Sequence, residues 1–186
     1  MFILPVQLYE LKNYDNWVVY RLFNNGTNKL SKLPFNPITH KPAKTNNSST
    51  WGSYSDSINA IKEHSYDGIG FVLSDFYVGI DLDNCIVDNT INDTAKDILE
   101  LIQSYTEYSP SNNGLHIICK YMNHKKIGRK NDKLGLEIYN RDRFFTITGK
   151  VYRDLLIVDQ TKEIDILLNK YFNDMSSILN EYLSEV

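Results

Sequence analysis

The segment Gly79-Ile80-Asp81-Leu82-Asp83 carries two carboxylates, two residues apart, in an otherwise apolar run. Successive side chains of a strand alternate between faces. Asp81 and Asp83 therefore project to one side, while Ile80 and Leu82 go to the core. Two carboxylates that close resist joint ionisation unless a cation offsets their repulsion. A hard divalent ion with oxygen ligands, Mg²⁺ or Mn²⁺, does so, and a pair of such ions can activate a 3′-hydroxyl and stabilise a leaving pyrophosphate. D-x-D is also a common triplet, and a strand that ends at the surface with two solvated aspartates accounts for it as well. An EF-hand loop does not, because glycine is missing at the sixth position and glutamate at the twelfth.

A third acid, Glu137, sits in Gly135-Leu136-Glu137-Ile138-Tyr139, another apolar strand. It is either an exposed alternate position on an edge strand or a third ligand beside Asp81 and Asp83. Ser109-Pro110-Ser111-Asn112-Asn113-Gly114-Leu115-His116 joins a polar turn to a strand. Gly114 permits close backbone approach. The hydroxyls of Ser109 and Ser111, free backbone N–H groups and the His116 imidazole together make a candidate phosphate cradle. A half-buried histidine with satisfied nitrogens is the plainer reading of His116.

Charge is unevenly spread. The total is −3, but residues 120–153 carry +7 between two blocks of −5 each. Lys120, Lys125, Lys126, Arg129 and Lys130 make this stretch a candidate track for a nucleic-acid backbone, with a solvated basic loop as the other reading. Tyr121, Tyr139, Phe144 and Phe145 offer rings for base stacking. Phe144 and Phe145 are expected on opposite faces, so that only one reaches a ligand.

The elements that must hold these groups read as α+β. Strands are expected at Trp17–Phe23, at 29–36, as a hairpin of 68–73 and 77–83 through 74–76, at 106–109 and 114–121, and as a second hairpin of 134–139 and 143–148. Helices are expected after a cap at Ser53 or Ser55, carrying Ile58 and Ile61, and over 92–105. One or two acidic amphipathic helices are expected over 159–186. Residues 123–133 read as a basic loop. A catalytic unit over 1–155 and a helical tail over 156–186 is the expected division.

With 186 residues and 42% hydrophobic content, the chain can bury a core without staples. Its two cysteines, Cys85 and Cys119, form no CxxC pair, and its four histidines are scattered. Neither a structural zinc site nor a disulfide framework is expected. No signal peptide and no membrane span is read, so the expected setting is the cytoplasm.

Taken in order, WVVYRL, KLPFNP, TW, DGIGFVL, VGIDLDN, SYTEYSPSNNGLHI, LEIY and RFFTITG closely resemble the primase-polymerase domain of the archaeo-eukaryotic primase superfamily, in particular its phage, plasmid and mobile-island branch. The resemblance covers about residues 15–152. It implies an RRM-like, largely antiparallel sheet with an N-terminal αβ unit, and template-directed nucleotidyl transfer. It further implies paired metal-binding acids at Asp81 and Asp83, a phosphate-contacting histidine at His116 within the small-x-His motif, and a metal-binding acid at Glu137. Arg143 and Thr146 fall where a triphosphate contact is expected; Lys32 and Lys44 are added from their charge and their place in the N-terminal unit. The implied partners are a single-stranded DNA template, NTP or dNTP, and a helicase or initiator on a separate chain, unless this is an excised domain. The zinc-binding insert of many relatives lacks its Cys and His here, and Asn112 replaces a frequent glycine. A primase-like module that binds DNA without catalysis, and a metal-dependent nuclease, are the competing readings.

Overall fold

In the computed structural model, which describes residues 2–24, 26, 30–74 and 76–172, the chain is mixed α+β. The strands are β1 (Trp17–Phe23), β2 (Ser31–Phe35), β3 (Gly68–Val72), β4 (Tyr77–Leu82), β5 (Ile86–Val87), β6 (Thr90–Ile91), β7 (Tyr105–Tyr108), β8 (Leu115–Lys120), β9 (Gly128–Asn131), β10 (Leu136–Tyr139), β11 (Phe144–Ile147) and β12 (Val151–Arg153). The helices are α1 (Tyr54–Glu63), α2 (Asp93–Leu101) and α3 (Thr161–Phe172), with a 3₁₀ helix at Val6–Asn13.

Two antiparallel sheets carry the architecture. One has the order β11-β3-β1-β2 and the other β12-β7-β8-β4-β10-β9. The two expected hairpins are therefore not hairpins. β3 and β4 lie in different sheets, and so do β10 and β11. In both cases the short connection makes a corner: Leu73 N–H donates to Arg143 O, tying the two corners together. The expected basic loop contains a strand, β9, paired with β10.

Alternation along the six-stranded sheet separates two cores. Val78, Ile80 and Leu82 of β4, with Leu115, Ile117 and Cys119 of β8 and Leu136 and Ile138 of β10, pack against Ile98 and Leu99 of α2 and Ile164 and Leu167 of α3. On the other face, Tyr77, Tyr105 and Ile118 join Trp17, Val19, Ile69, Phe71 and Phe145 of the four-stranded sheet and Leu8 and Leu11 of the 3₁₀ helix. α1 begins with a full capping box between Ser53 and Asp56. α2 is capped by Asn92 and stops at Ile102, three residues before the expected end, because Tyr105 already belongs to β7. Cys85 and Cys119 are free and buried. No helix among the described residues is long and apolar enough to cross a membrane. The expected helical reading of 173–186 lies outside the described residues.

Candidate active site

Register, not proximity in sequence, assembles the site. Asp81 pairs with Glu137 of β10 on one side and with His116 of β8 on the other. His116 in turn pairs with Glu107 of β7, and Glu137 with Lys130 of β9. Paired residues of antiparallel strands share a face. Glu107, His116, Asp81, Glu137 and Lys130 thus form one polar row across five strands, on the face turned toward the four-stranded sheet. Asp83 follows β4 directly, held by its N–H donating to Gly135 O at 2.8 Å.

A cleft of about 290 Å³ opens between the sheets over this row. Asp81, His116, Glu137 and Tyr139 line it from one side, and Lys32, Arg143, Phe144 and Thr146 from the other. A second cleft of about 490 Å³ adjoins it, sharing Lys32, Arg143 and Phe144 and adding Lys44, Thr45 and Asn46. Arg143 lies over the Tyr139 ring, 4.6 Å from its centroid. The two phenylalanines take different neighbours, Phe145 buried against the His116 ring with centroids 5.3 Å apart and Phe144 leaning on Tyr20, but both line the cleft, so the expectation that only one reaches it does not hold.

His116 is buried; its Nδ1 lies 3.2 Å from Thr146 O, and its Nε2 lies 3.6 Å from Asp81 Oδ1. That last distance is too long for a hydrogen bond, and Asp81 Oδ1 has no other partner although it is buried. Thr146 Oγ1, lining the same cleft, is likewise buried and unpartnered. Burial pushes the Asp81 carboxyl up from its ordinary range; the charge of His116 opposes this, Asp83 and Glu137 add to it, and Lys32 opposes it. A buried oxygen left without a donor costs about 1–3 kcal/mol. Two such atoms in one cleft are the signature of a site built for something else to fill.

The donor set fits a hard cation: Asp81, Asp83 and Glu137 offer only carboxylate oxygens, and the unpartnered Asp81 Oδ1 is an open ligand position. Among the described residues, no group of three His, Cys, Asp or Glu side chains is arranged to hold a metal ion as it stands. Glu137 is instead ion-paired, its Oε1 lying 3.1 Å from Lys130 Nζ. Lys130 is itself held by Asp132 at 3.0 Å, and these two acids, Asp132 first, raise the Lys130 ammonium above its usual range.

Other expected site residues stand apart. Ser109 and Ser111 bond to one another at 3.0 Å, and Ser111 also donates to Asn113. This turn closes on itself and does not line the cleft. Gly114 is required by packing: a Cβ there would meet Leu82 O at 2.6 Å. The basic residues do not form one face. Lys130 points to the acidic row; Lys125, Lys126 and Arg129 line a groove beside α3, and Lys126 pairs with Asp142 at 2.8 Å. Lys120 is ion-paired to Glu10 at 2.9 Å, at the far end of β8 from the acids. Glu107 and Gly135 were not anticipated. An acid at an alternate position of YTEY, in register with a histidine, is the signal that marks the first.

No family model matches the chain. Over 165 residues it is 33% identical to the DNA primase-polymerase of Nitratiruptor phage NrS-1, across 84% of this chain. This similarity supports a phage-type primase-polymerase domain. It spans 22% of the length of that relative. Of the acids and the histidine quoted from the sequence, Asp81, His116 and Glu137 line one cleft, while Asp83 lies just beyond the end of β4 and is not part of its lining.

Proposed function

We propose that this domain is a template-directed nucleotidyl transferase, a DNA primase or polymerase serving a phage, plasmid or mobile element, and that Asp81, Asp83 and Glu137 hold Mg²⁺ or Mn²⁺. The observation that carries the reading is Asp81: it stands opposite Glu137 on one side and His116 on the other, with a buried oxygen that no protein group satisfies. When bound, the cations would lower the pKa of an attacking 3′-hydroxyl and neutralise charge on the triphosphate.

The chain's own residues then position and stabilise. Lys32 and Arg143 face the acids across the cleft and offer their charge to the triphosphate; Lys44 extends that cationic wall into the adjoining cleft. Arg143 lies over the Tyr139 ring, 4.6 Å from its centroid, and its guanidinium offers the fork geometry that bidentate phosphate contact uses. Thr146 Oγ1 is a donor at the cleft floor suited to phosphate oxygens, and His116 Nε2 becomes one when the ring, already protonated on Nδ1, takes up a second proton. Tyr139 and Phe144 form the apolar part of the lining, where a sugar or base is accommodated. Little covalent chemistry is asked of these groups; orientation and charge stabilisation dominate. The template strand would follow Lys125, Lys126 and Arg129, with a helicase or initiator acting from elsewhere.

The test is incorporation of labelled NTP and dNTP, separately, on primed and unprimed single-stranded templates with Mg²⁺ or Mn²⁺. Wild type lengthens the product and Asp81→Ala does not. Full extension by Asp81→Ala refutes the assignment. Binding of DNA without incorporation by the wild type indicates a non-catalytic module, and shortening of the labelled strand indicates a nuclease.

A further inference from the structure

Glu107 is one of the most deeply buried charged groups among the described residues, with no exposed surface. It lies on β7, two strands from Asp81, and it does not touch the cleft. Its carboxylate accepts three hydrogen bonds: Oε1 from Thr148 N–H at 2.8 Å, and Oε2 from Gly149 N–H at 3.0 Å and from Tyr105 Oη at 2.9 Å. A buried carboxylate survives only with such donors around it. Among the described residues, the one basic side chain within 4 Å is His116, whose Nδ1 is 3.9 Å from Oε1.

The position of these contacts matters more than their number. Thr148 and Gly149 immediately follow β11, which belongs to the four-stranded sheet, while Glu107 belongs to the six-stranded one. These two residues link β11 to β12, which pairs with β7 beside Glu107, so the carboxylate pins the crossover between the sheets just beyond Thr146, whose carbonyl meets His116 Nδ1 at 3.2 Å. Two acceptors, the Thr146 carbonyl and the Glu107 carboxylate, thus crowd Nδ1, and none crowds it with a donor. That arrangement places the ring proton on Nδ1 and aims Nε2 at Asp81 and the cleft.

We infer that Glu107 is a positioning residue for the phosphate-handling histidine: it fixes the tautomer and tilt of His116 through the 146–149 backbone and through its own charge. This rests on the nucleotidyl transfer proposed above. A carboxylate that only cross-braced the sheets would contribute to stability and leave the ring indifferent.

Three proteins separate the two roles: wild type, Glu107→Gln and Tyr105→Phe. Gln keeps the volume but turns an N–H₂ toward the Thr148 or Gly149 N–H groups, so the 146–149 segment must shift. Tyr105→Phe removes one bond to the same carboxylate and serves as a matched stability control. The readouts are the long-range ¹H–¹⁵N spectrum of the His116 ring in metal-free protein, and kcat and KM for nucleotide incorporation. The wild-type ring is expected as the Nδ1–H tautomer. Glu107→Gln is expected to move it toward Nε2–H and to lower kcat about 10- to 100-fold, with KM changed less than about threefold. Tyr105→Phe is expected to keep the wild-type ring spectrum and a kcat within about threefold. A wild-type ring in the Nε2–H form overturns the inference even if Glu107→Gln does not fold. So does a Glu107→Gln protein whose ring spectrum and kcat match those of Tyr105→Phe. If the wild type incorporates no nucleotide, the proposed function fails, while the ring spectra still decide the role of Glu107.

Discussion

Glu137 is held between two opposite charges: Asp81 faces it from β4 and Lys130 from β9, and the Lys130 ammonium sits 3.1 Å from Glu137 Oε1. The lysine stands where a cation is wanted. It offsets the repulsion between the acids and competes with any divalent ion for the same oxygen.

Lys130→Met therefore tightens Mn²⁺ binding to the metal-free domain. The pair is exposed, so the gain is small, about twofold to fivefold in Kd. Titration followed by Mn²⁺ electron paramagnetic resonance measures it. Unchanged or weaker binding would show that the ammonium does not compete for the site.

Asp81 ties stability to pH. Burial holds its folded-state pKa above the ordinary value, so between those two values the folded protein binds more protons than the unfolded chain. Stability is full below the ordinary value and declines as pH rises through that window. Asp81→Asn removes the decline: its melting temperature at neutral pH exceeds that of the wild type, by about 2–4 °C for each kcal/mol recovered. Metal acts in the same direction on the wild type, adding about 2.7 kcal/mol at a hundredfold excess over Kd, and adds little to the variant. Thermal melts at several pH values, with and without Mn²⁺, test both statements.

Gly135 holds the loop that carries Asp83. Its φ is +62°, and a Cβ there would meet Asp83 O at 2.5 Å. The left-handed conformation alone costs a non-glycine residue roughly 1–2 kcal/mol, and the clash adds to that. Gly135→Ala is expected to melt earlier and, because Asp83 is pushed off its N–H bond to Gly135 O, to lose incorporation out of proportion to its lost stability. Melting and incorporation on the same preparation distinguish this from simple unfolding.

Much of this was legible in the sequence where alternation governs. The placing of Asp81 on one face of its strand and of Ile80 and Leu82 on the other followed from period two alone, and the helix after Ser53 followed from its cap. What failed was pairing. A three-residue link such as 74–76 reads as a hairpin, yet it turns a corner between two sheets, because Phe71 and Tyr77 are both wanted in the core between them. Lys120 and Lys130 belong to the same basic stretch, but a strand's alternation and the run of β8 away from the acids send them to unrelated neighbours, Glu10 and Glu137. Glu107 was passed over because its partners, the backbone of Thr148 and Gly149, are forty residues away and carry no sequence signal.

Lys32 and Arg143 face the acids from the opposite wall of the cleft. Lys32→Ala and Arg143→Ala are each expected to raise KM for the nucleotide about tenfold, the effect of one lost charge-assisted contact of about 1.4 kcal/mol. Loss of Lys44, which lies only in the adjoining cleft, has a smaller effect. Steady-state incorporation at varied nucleotide concentration separates the three.

The central claim is that three carboxylates from two strands and a turn share divalent cations. A crystal soaked with Mn²⁺ and a non-hydrolysable nucleoside triphosphate tests it most directly, by anomalous scattering. The account predicts a manganese peak bound by Asp81, Asp83 and Glu137, with Lys130 withdrawn from Glu137 and the triphosphate between His116 and Arg143. Manganese bound elsewhere, or a nucleotide seated in a cleft that leaves Asp81 Oδ1 without a partner, would contradict it.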